Sequence, residues 1–583
     1  MVSLSAPFQT IPLPFDLAWH NSSDIEWRHS ELGHNDATIT LSRKSLGAIL
    51  KRVVLGSLKR RMLLSQPRIG VREPRLQLRT RHIARSVLSN WFAMAAGMAV
   101  GFFLSPFLVH RLGNVNYGVW VLAISTVNYF GLLDLGLRNS VTMFVAKGHT
   151  TGDHEGASKV LSAALWVRIQ IAALVMVVCG VLVVVFPIIF KVSAAMAADA
   201  RAVVFLMGLN FAVYMSIGVF GGILSALNRY DLYTLVILTQ LTLRVIGVVT
   251  VLRTGHGIVA IAWCELVAGT VSYVLFAYIA RRIYPELKIR LKKPSREVLK
   301  KIWSYSAYVF LLMVAIQLVY QTDNLVVGAF VSASAVTFYS IGNSLCRYTQ
   351  QLVGSMTNTF TPAASTYDAA GDTSSLRALY YNGTRATMAV SLPILITLIF
   401  RGANFIGVWM GPQYSRTSGT VLAILATALL FSLQNTPATS IAFGIEKHKT
   451  LAKWAIAEAI ANLILSIVLA RKIGIYGVAI GTLVPSLAVN LLLWPRYVSQ
   501  LVGIHYREVL LKVWGPVFLS AVPFAGASCV VDAFFPARNM IMFIVQTVAL
   551  LPIFAVSVGW IFRNNLKRRI LPQIKTYFHA EAK

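Results

Sequence analysis

A set of charged side chains lies within long apolar stretches of this chain, where ionisable groups are rare. The basic ones are Arg138, Arg168, Arg244, Arg347 and Arg401, and the acidic ones are Asp134, Glu265, Asp323 and Glu458. A charge in apolar surroundings is costly unless it is paired or used, so these residues are candidates for a functional site. Arginine suits a phosphate group, because its planar fork donates two parallel hydrogen bonds and keeps its charge. A buried carboxylate suits a cation or a proton.

The elements that position these residues are predicted to be membrane-spanning helices. The chain has 583 residues, 56% of them hydrophobic and 13% charged, with a mean hydropathy of +0.66. A spanning helix needs about 20 mostly apolar residues, because lipid cannot satisfy its backbone polar groups. Such stretches predict about fourteen spans, at 83–108, 117–145, 160–188, 202–226, 232–252, 257–280, 302–329, 336–361, 386–410, 419–444, 450–470, 474–495, 513–533 and 540–562.

The positions of Lys and Arg predict a membrane protein with both termini in the cytoplasm. Cytoplasmic loops retain an excess of these residues. If the N-terminus is inside, the inner segments hold most of the 53 Lys and Arg. Residues 1–82 are predicted to be a cytoplasmic extension, whose basic amphipathic segment either lies on the anionic inner leaflet or stays a disordered tail. No cleaved secretory signal is expected at its start.

An internal repeat predicts how the spans are organised. Leu252–Ala262 aligns with Arg471–Gly481 at an offset of 219, which matches Gly255 to Gly474. Six spans in each half is an even number, so the two halves have the same orientation and an axis along the membrane normal relates them. The predicted regions are the extension (1–82), a first six-helix bundle (83–280), a basic cytoplasmic linker (281–301), a second six-helix bundle (302–495), a C-terminal helix pair (496–562) and a basic cytoplasmic tail (563–583).

Several functional classes lack their motifs in this sequence. The formal charge is +31, but the basic residues flank apolar stretches and form no nucleic-acid-binding motif. There is no Gly-rich phosphate loop and no His-Glu-x-x-His, and the four cysteines stand singly. We therefore expect no enzymatic activity, no cofactor, no metal and no nucleic-acid partner.

Four short motifs, in this order along the chain, point to a known family. They are FGLLDLGLR at Phe130–Arg138, DNLVVG at Asp323–Gly328, WMGPQY at Trp409–Tyr414 and GIYGVAIG at Gly474–Gly481. The chain resembles, over about residues 83–500, the polysaccharide exporters and Wzx-type lipid-linked oligosaccharide flippases of the multidrug/oligosaccharidyl-lipid/polysaccharide exporter superfamily. The resemblance implies two six-helix bundles around a central cavity that opens alternately to each side, with undecaprenyl-pyrophosphate-linked sugars as cargo. The chain differs from twelve-span members of the family by two additional spans. Its predicted total of fourteen resembles that of the lipid II flippases.

The charged and polar residues of the spans are assigned to such a cavity. We predict Arg168 and Arg347 as the main contacts to the cargo phosphates. Further cavity-lining candidates are Arg138, Arg244, Asn324, Gln321 and Asn343, and the candidate ion-coupling residues are Asp323, Asp134, Glu265 and Glu458.

Each assignment has a structural alternative. Asp134 and Arg138 are spaced i, i+4 and would pair on one helix face. Asp323 would pair with an arginine of another span. Arg401 lies near the predicted outer surface and would extend its head group to it.

The predicted function is translocation of a lipid-linked oligosaccharide by alternating access. The alternatives are a cation-coupled multidrug exporter of the same superfamily and a scaffold that recruits cytoplasmic glycosyltransferases through residues 1–82. A membrane-embedded polymerase or ligase is less compatible, because the predicted outer loops are short. Expected partners are the cargo, membrane lipids, and glycosyltransferases, a polymerase or export proteins of the same pathway.

Overall fold

The computed structural model of this chain is built from long helices joined by short turns. It describes residues 76–134, 137–291, 314, 317, 321–447 and 449–565. All regular secondary structure in these ranges is helical, which confirms the predicted all-α membrane fold. Eleven segments of the described chain are long and apolar enough to cross a membrane.

The helices of the first half begin with a long kinked element. They are α1 (Leu76–Asn128), α2 (Leu137–Thr151), α3 (His154–Ile189), α4 (Ala194–Ile217), α5 (Phe220–Ala226), α6 (Tyr230–Arg253) and α7 (Ile258–Ile283), with a 3₁₀ segment at Tyr129–Asp134. The first two predicted spans meet within α1 at Gly113, whose φ of 74° is one that glycine adopts without strain.

The second half and the C-terminal region contain several irregular helical segments. The α-helices are α8 (Ala333–Thr357), α9 (Phe360–Ala369), α10 (Thr373–Met410), α11 (Pro412–Ser432), α12 (Thr436–Gly444), α13 (Lys449–Ile473), α14 (Ile475–Leu487), α15 (Trp494–Val502), α16 (Gly515–Phe534) and α17 (Met540–Asn565). A 3₁₀ turn at Leu433–Asn435 joins α11 to α12, and π-helical segments occupy Ala488–Leu493 and Val509–Trp514. Residues 321–330 are also helical.

The count of fourteen spans stays a prediction. The segment Trp91–Asp134 combines the first two predicted spans, and most of the predicted span 302–329 lies outside the described residues. Helix α8 occupies the position of the eighth predicted span but is not among the eleven apolar segments. The extension 1–75, the linker beyond 291 and the tail beyond 565 also lie outside the described residues.

Two helices begin earlier than hydropathy predicts, at aspartate caps. Helix α3 starts at His154 instead of 160, and α10 starts at Thr373 instead of 386. Asp153 and Asp372 each accept a hydrogen bond from a backbone N–H of the first turn, at 2.8 and 3.0 Å. At 36 and 38 residues, these helices are about 54 and 57 Å long and exceed the bilayer core of about 30 Å. Hydropathy finds only the apolar part of each helix, whereas the cap sets its start.

The cap hydrogen bonds also stabilise the charged form of the aspartate. Hydrogen bonds from Ser375 and Ser374 lower the pKa of Asp372 to about 2.

Left-handed turns recur between the halves at nearly the offset of the sequence repeat. Gly152 and Gly371, which precede the two aspartate caps, both have positive φ angles and are 219 residues apart. Gly255 and Gly474 show the same conformation at the same separation. Two further pairs are Lys191 with Gly411 and Asn228 with Glu446. These turns end corresponding helices, so the two halves share one order of elements. The exact region boundaries stay predictions.

Candidate functional site

Arg168, on α3, is fully buried at the break between α4 and α5. It forms an ion pair with Asp134, at the end of the 3₁₀ segment. Its Nε donates to the carbonyl oxygen of Met215 at 2.8 Å, and its Nη2 donates to that of Tyr214 at 3.4 Å. Both carbonyls belong to the last turn of α4, where helix carbonyls run short of intrahelical donors; that of Tyr214 also accepts from the N–H of Gly218 at 2.7 Å. Arg168 therefore fastens the broken helix and has few donors left for a cargo.

The predicted i, i+4 pair between Asp134 and Arg138 is wrong. The 3₁₀ segment ends at Asp134 and a new helix begins at Leu137, so the two residues do not share one regular helix. The spacing rule holds only within an uninterrupted α-helix. Asp134 pairs with Arg168 instead.

Arg138 is half-buried and is surrounded by tyrosines. Its Nη2 donates to the hydroxyl of Tyr233 at 3.0 Å, and its guanidinium carbon lies 5.6 Å from the centre of that ring. The hydroxyl of Tyr214 also interacts with this guanidinium. The described residues give Arg138 no carboxylate partner, so its charge is available to an anionic ligand.

Arg244 and Glu265 pair with each other between α6 and α7. Arg244 Nε and Glu265 Oε1 are 2.5 Å apart, and both side chains are almost completely buried. The two predicted candidates, one for cargo and one for an ion, therefore form a single neutral pair.

Asp323 lies in a cluster of hydroxyl and amide groups in the second half. Its Oδ2 accepts hydrogen bonds from Tyr339 on α8, at 2.7 Å, and from Thr482 on α14, at 3.0 Å. Its Oδ1 has no hydrogen-bond partner among the described residues. Asn462 on α13 adjoins Thr482 at 3.4 Å. Arg347 is close enough to act on the carboxylate electrostatically. This arrangement can hold a proton or a small cation.

The remaining candidates are distributed over the interior. Asn324 joins the halves, because its Nδ2 donates to Ser125 Oγ at 3.1 Å. Gln321 is buried, and Asn343 is half-buried on α8. Glu458 is half-buried on α13 beside Ser486. The structure thus unites Asp134, Arg138 and Arg168 in the first half, and places Asp323 near Arg347 in the second.

Sequence reasoning missed the tyrosine and threonine partners of these charges. Tyr233 is 95 residues from Arg138, and Thr482 is 159 residues from Asp323. Aromatic and hydroxyl residues are common in spans, so no local signal distinguished these from the others.

Arg401 does not extend to a surface, and that prediction is wrong. Its side chain is fully buried, with Asp532 Oδ1 at 3.8 Å and Thr547 Oγ1 at 3.3 Å. It also donates to Gln546 and lies 4.6 Å from the ring centre of Phe543. Helices α16 and α17 cover this part of α10, so the guanidinium contacts their side chains instead of the surface.

The two halves contact each other at one end of the protein. This end contains the loop between predicted spans 1 and 2 and the loop between predicted spans 7 and 8. Thr337 donates to the carbonyl oxygen of Asn114 at 2.6 Å, and Tyr414 donates to its side-chain oxygen at 2.5 Å. Trp409 donates to the carbonyl oxygen of Phe102 at 3.1 Å and stacks on its ring at 4.7 Å. We call these five residues the neutral clasp. With the predicted orientation, the clasp closes the outer face of the protein.

Comparisons with known proteins agree with this architecture. The sequence family described as "Polysaccharide biosynthesis protein" matches residues 83–368. The chain is 24% identical over 449 residues to the "Uncharacterized membrane protein EpsK" of Bacillus subtilis, which covers 76% of this chain and 87% of that protein. It is 21% identical over 433 residues to the "Probable low-salt glycan biosynthesis flippase Agl15" of Haloferax volcanii, covering 73% of this chain and 85% of the relative.

Solved transporter structures share the fold. The lipid II flippase MurJ in an inward closed conformation gives a TM-score of 0.61 at 14% identity, covering 83% of this chain and all (100%) of that one. An inward-facing multidrug resistance MATE family transporter of the MOP superfamily gives 0.59 at 15% identity, covering 73% and 96%. At these sequence identities, the structural similarity establishes a shared fold and nothing about cargo.

Proposed function

Because this chain belongs to the polysaccharide exporter and flippase family of membrane proteins, we propose that it moves a polyprenyl-pyrophosphate-linked oligosaccharide across the bacterial inner membrane. The observation that carries the choice of cargo is Arg138, a half-buried cation held by tyrosines instead of a carboxylate. Such a group offers an anion a charge that no carboxylate of the described ranges neutralises. The sugar part requires neutral polar contacts, and we assign these to Asn324, Gln321 and Asn343.

The proposed cycle is alternating access with both termini in the cytoplasm. The cargo phosphates enter from the cytoplasmic side, which lies opposite the neutral clasp, and bind Arg138 and Arg347. Export of two negative charges from an interior at negative potential is favoured by about 4–5 kcal/mol at 100 mV. The membrane potential therefore drives part of the movement. Arg168 supports the site by fixing the break between α4 and α5.

The test is transport of a fluorescent polyprenyl-pyrophosphate oligosaccharide in liposomes that contain the purified protein. Movement is followed as a change in protection from a membrane-impermeant quencher. Arg138→Gln is expected to lower the rate about tenfold, because one charge-assisted contact to phosphate is lost. Arg253→Gln, an exposed arginine on α6, is the matched control and is expected to leave the rate unchanged. A wild-type rate in a correctly folded Arg138→Gln protein would remove Arg138 from the site.

We propose Asp323 as the ion-coupling residue, because one of its buried carboxylate oxygens has no hydrogen-bond partner among the described residues, while the other accepts from Tyr339 and Thr482. Asp323→Asn is expected to abolish the acceleration of transport by an imposed proton or sodium gradient. Transport driven by membrane potential alone persists in this variant. Thr482→Val is the matched control, since it removes one hydrogen bond and keeps the charge, and its gradient response is only reduced. An unaltered gradient response in Asp323→Asn would contradict the assignment.

A cation-coupled multidrug exporter of the same superfamily is the second candidate, because the chain shares its fold with a MATE transporter. A cationic drug would meet the uncompensated charge of Arg138, which disfavours this function. Efflux of a cationic dye without movement of the labelled oligosaccharide, in the same liposomes, would reverse the ranking of the two functions.

Recruitment of pathway enzymes through residues 1–82 is a separate proposal. It is tested by deleting that segment and measuring cargo export.

A further inference from the structure

A row of buried hydroxyl groups runs along one face of α10 in the second half. Its members are Tyr380, Thr384, Thr387 and Ser391. Their spacings of four, three and four residues place them on one helix face over about 16 Å. Each is at most 1% exposed. Met388, one turn from Thr384, belongs to the hydrophobic cluster around this row.

Two polar side chains from other elements adjoin the row. Gln434, in the 3₁₀ turn, donates from Nε2 to Ser391 Oγ at 3.1 Å. Trp514, at the end of a π-helical segment, lies beside Tyr380. Both are buried, at 0% and 3% exposure. We call these six residues the polar seam.

Five polar atoms of the polar seam make no hydrogen bond of good geometry to the described protein groups, although the hydroxyl of Tyr380 lies near both Thr384 and Trp514. They are Tyr380 Oη, Thr384 Oγ1, Thr387 Oγ1, Gln434 Oε1 and Trp514 Nε1. A helical threonine can satisfy its hydroxyl on the carbonyl four residues earlier, as Thr397 of the same helix does at 2.7 Å. Thr384 and Thr387 do not. Because buried polar atoms in folded proteins are almost always hydrogen-bonded, Thr387 Oγ1 and Gln434 Oε1 require a further partner, and Tyr380, Thr384 and Trp514 satisfy one another only in part.

We infer that the polar seam binds a file of water molecules inside the second half. Its atoms combine acceptors with donors, such as the amide oxygen of Gln434 and the indole N–H of Trp514. Water can both accept and donate, and a buried water typically makes about three such bonds. The seam contains no carboxylate, which a bound cation would favour. Water is therefore the ligand that its chemistry fits.

The polar seam adjoins the irregular parts of the second half. Leu433–Asn435 is a 3₁₀ turn and Val509–Trp514 is π-helical, so backbone hydrogen bonding shifts register at both places. Bound water can exchange hydrogen bonds with such a backbone when a helix bends. The polar seam would thus make this part of the second half a hydrated hinge. This inference goes beyond the proposed function, because it holds for any cargo.

The experiment is X-ray radiolytic footprinting of the full-length protein in detergent, read out by mass spectrometry. Radiolysis turns bound water into hydroxyl radicals, which label the nearest side chains. Met388 is expected to be oxidised at least about fivefold faster than Met215 and Met410, because only Met388 adjoins the inferred water. All three methionines are fully buried, so equal rates would show a dry seam and overturn the inference.

A variant tests whether the hydroxyls hold the water. Thr387→Val replaces an unpartnered hydroxyl by a methyl group of similar size, and is expected to slow Met388 oxidation several-fold. Thr397→Val is the matched control, because its hydroxyl bonds its own helix, and the Met388 rate is expected to stay at the wild-type value. An unchanged Met388 rate in Thr387→Val would contradict the inference. Ser391→Ala serves as a second variant, with the same expected slowing, if Thr387→Val does not fold.

Discussion

Replacement of Arg168 by alanine is expected to lower the free energy of unfolding by about 3–5 kcal/mol, the typical cost of breaking a buried ion pair from one side. The arginine is fully buried, and its removal leaves Asp134 without a cation. It also removes the 2.8 Å hydrogen bond to the carbonyl of Met215, whereas the carbonyl of Tyr214 keeps its backbone donor, the N–H of Gly218. The measurement is thermal unfolding of the purified protein in detergent, followed by intrinsic tryptophan fluorescence.

Two further variants separate the contributions of Arg168. Arg168→Lys keeps the charge beside Asp134 but cannot reach both carbonyls, so an intermediate loss is expected. The double replacement Asp134→Leu with Arg168→Met removes both charges and is expected to cost less than Arg168→Ala alone. A wild-type melting temperature in Arg168→Ala, combined with lost transport, would contradict the structural role. It would instead support the predicted contact to the cargo.

Replacement of Arg401 by alanine is expected to cost about 3 kcal/mol and to loosen the C-terminal helix pair. Arg401 joins α10 to Asp532 and Thr547, and nearby Asn404 exchanges two 3.2 Å hydrogen bonds with the backbone of Ala537. The expected result is a lower melting temperature with faster proteolysis in the loop between α16 and α17. The same loop is a convenient reporter because it is exposed at Phe535.

The matched control for Arg401 is a surface pair before the start of α16, the end of that helix opposite to Asp532. Lys512 and Glu508 are 2.7 Å apart and largely exposed, and such pairs contribute little to stability. Lys512→Ala is therefore expected to leave both readouts unchanged. Equal effects of the two variants would mean that the buried junction does not hold the helix pair.

Hydropathy and helix-ending signals gave the correct order of helices, because both depend on local sequence. Gly474 was expected to separate two apolar stretches that only three residues divide, and its φ of 63° ends α13 and begins α14. Helix α8 shows the limit of hydropathy. Buried side chains such as Ser340 and Ser344 make it less apolar, yet it folds as a helix among the others.

The partners of the buried charges were not predictable from local spacing. Asp134 finds Arg168 because the chain changes helix type after Asp134, and sequence spacing carries no information about that break. Arg401 is covered by helices that follow more than 100 residues later, so its depth depends on packing between distant elements. Composition identified which residues needed an explanation. Packing determined which of them are already neutralised.

The neutral clasp has a kinetic consequence. Its contacts join hydroxyl, amide, indole and aromatic groups, and none of its five residues carries a charge. Separation of the two halves at this end therefore breaks no ion pair, and dissolved salt has no Coulomb attraction to screen. The rate constant for opening is expected to be nearly independent of ionic strength. An organism that meets changing salinity would then keep the same turnover at this step.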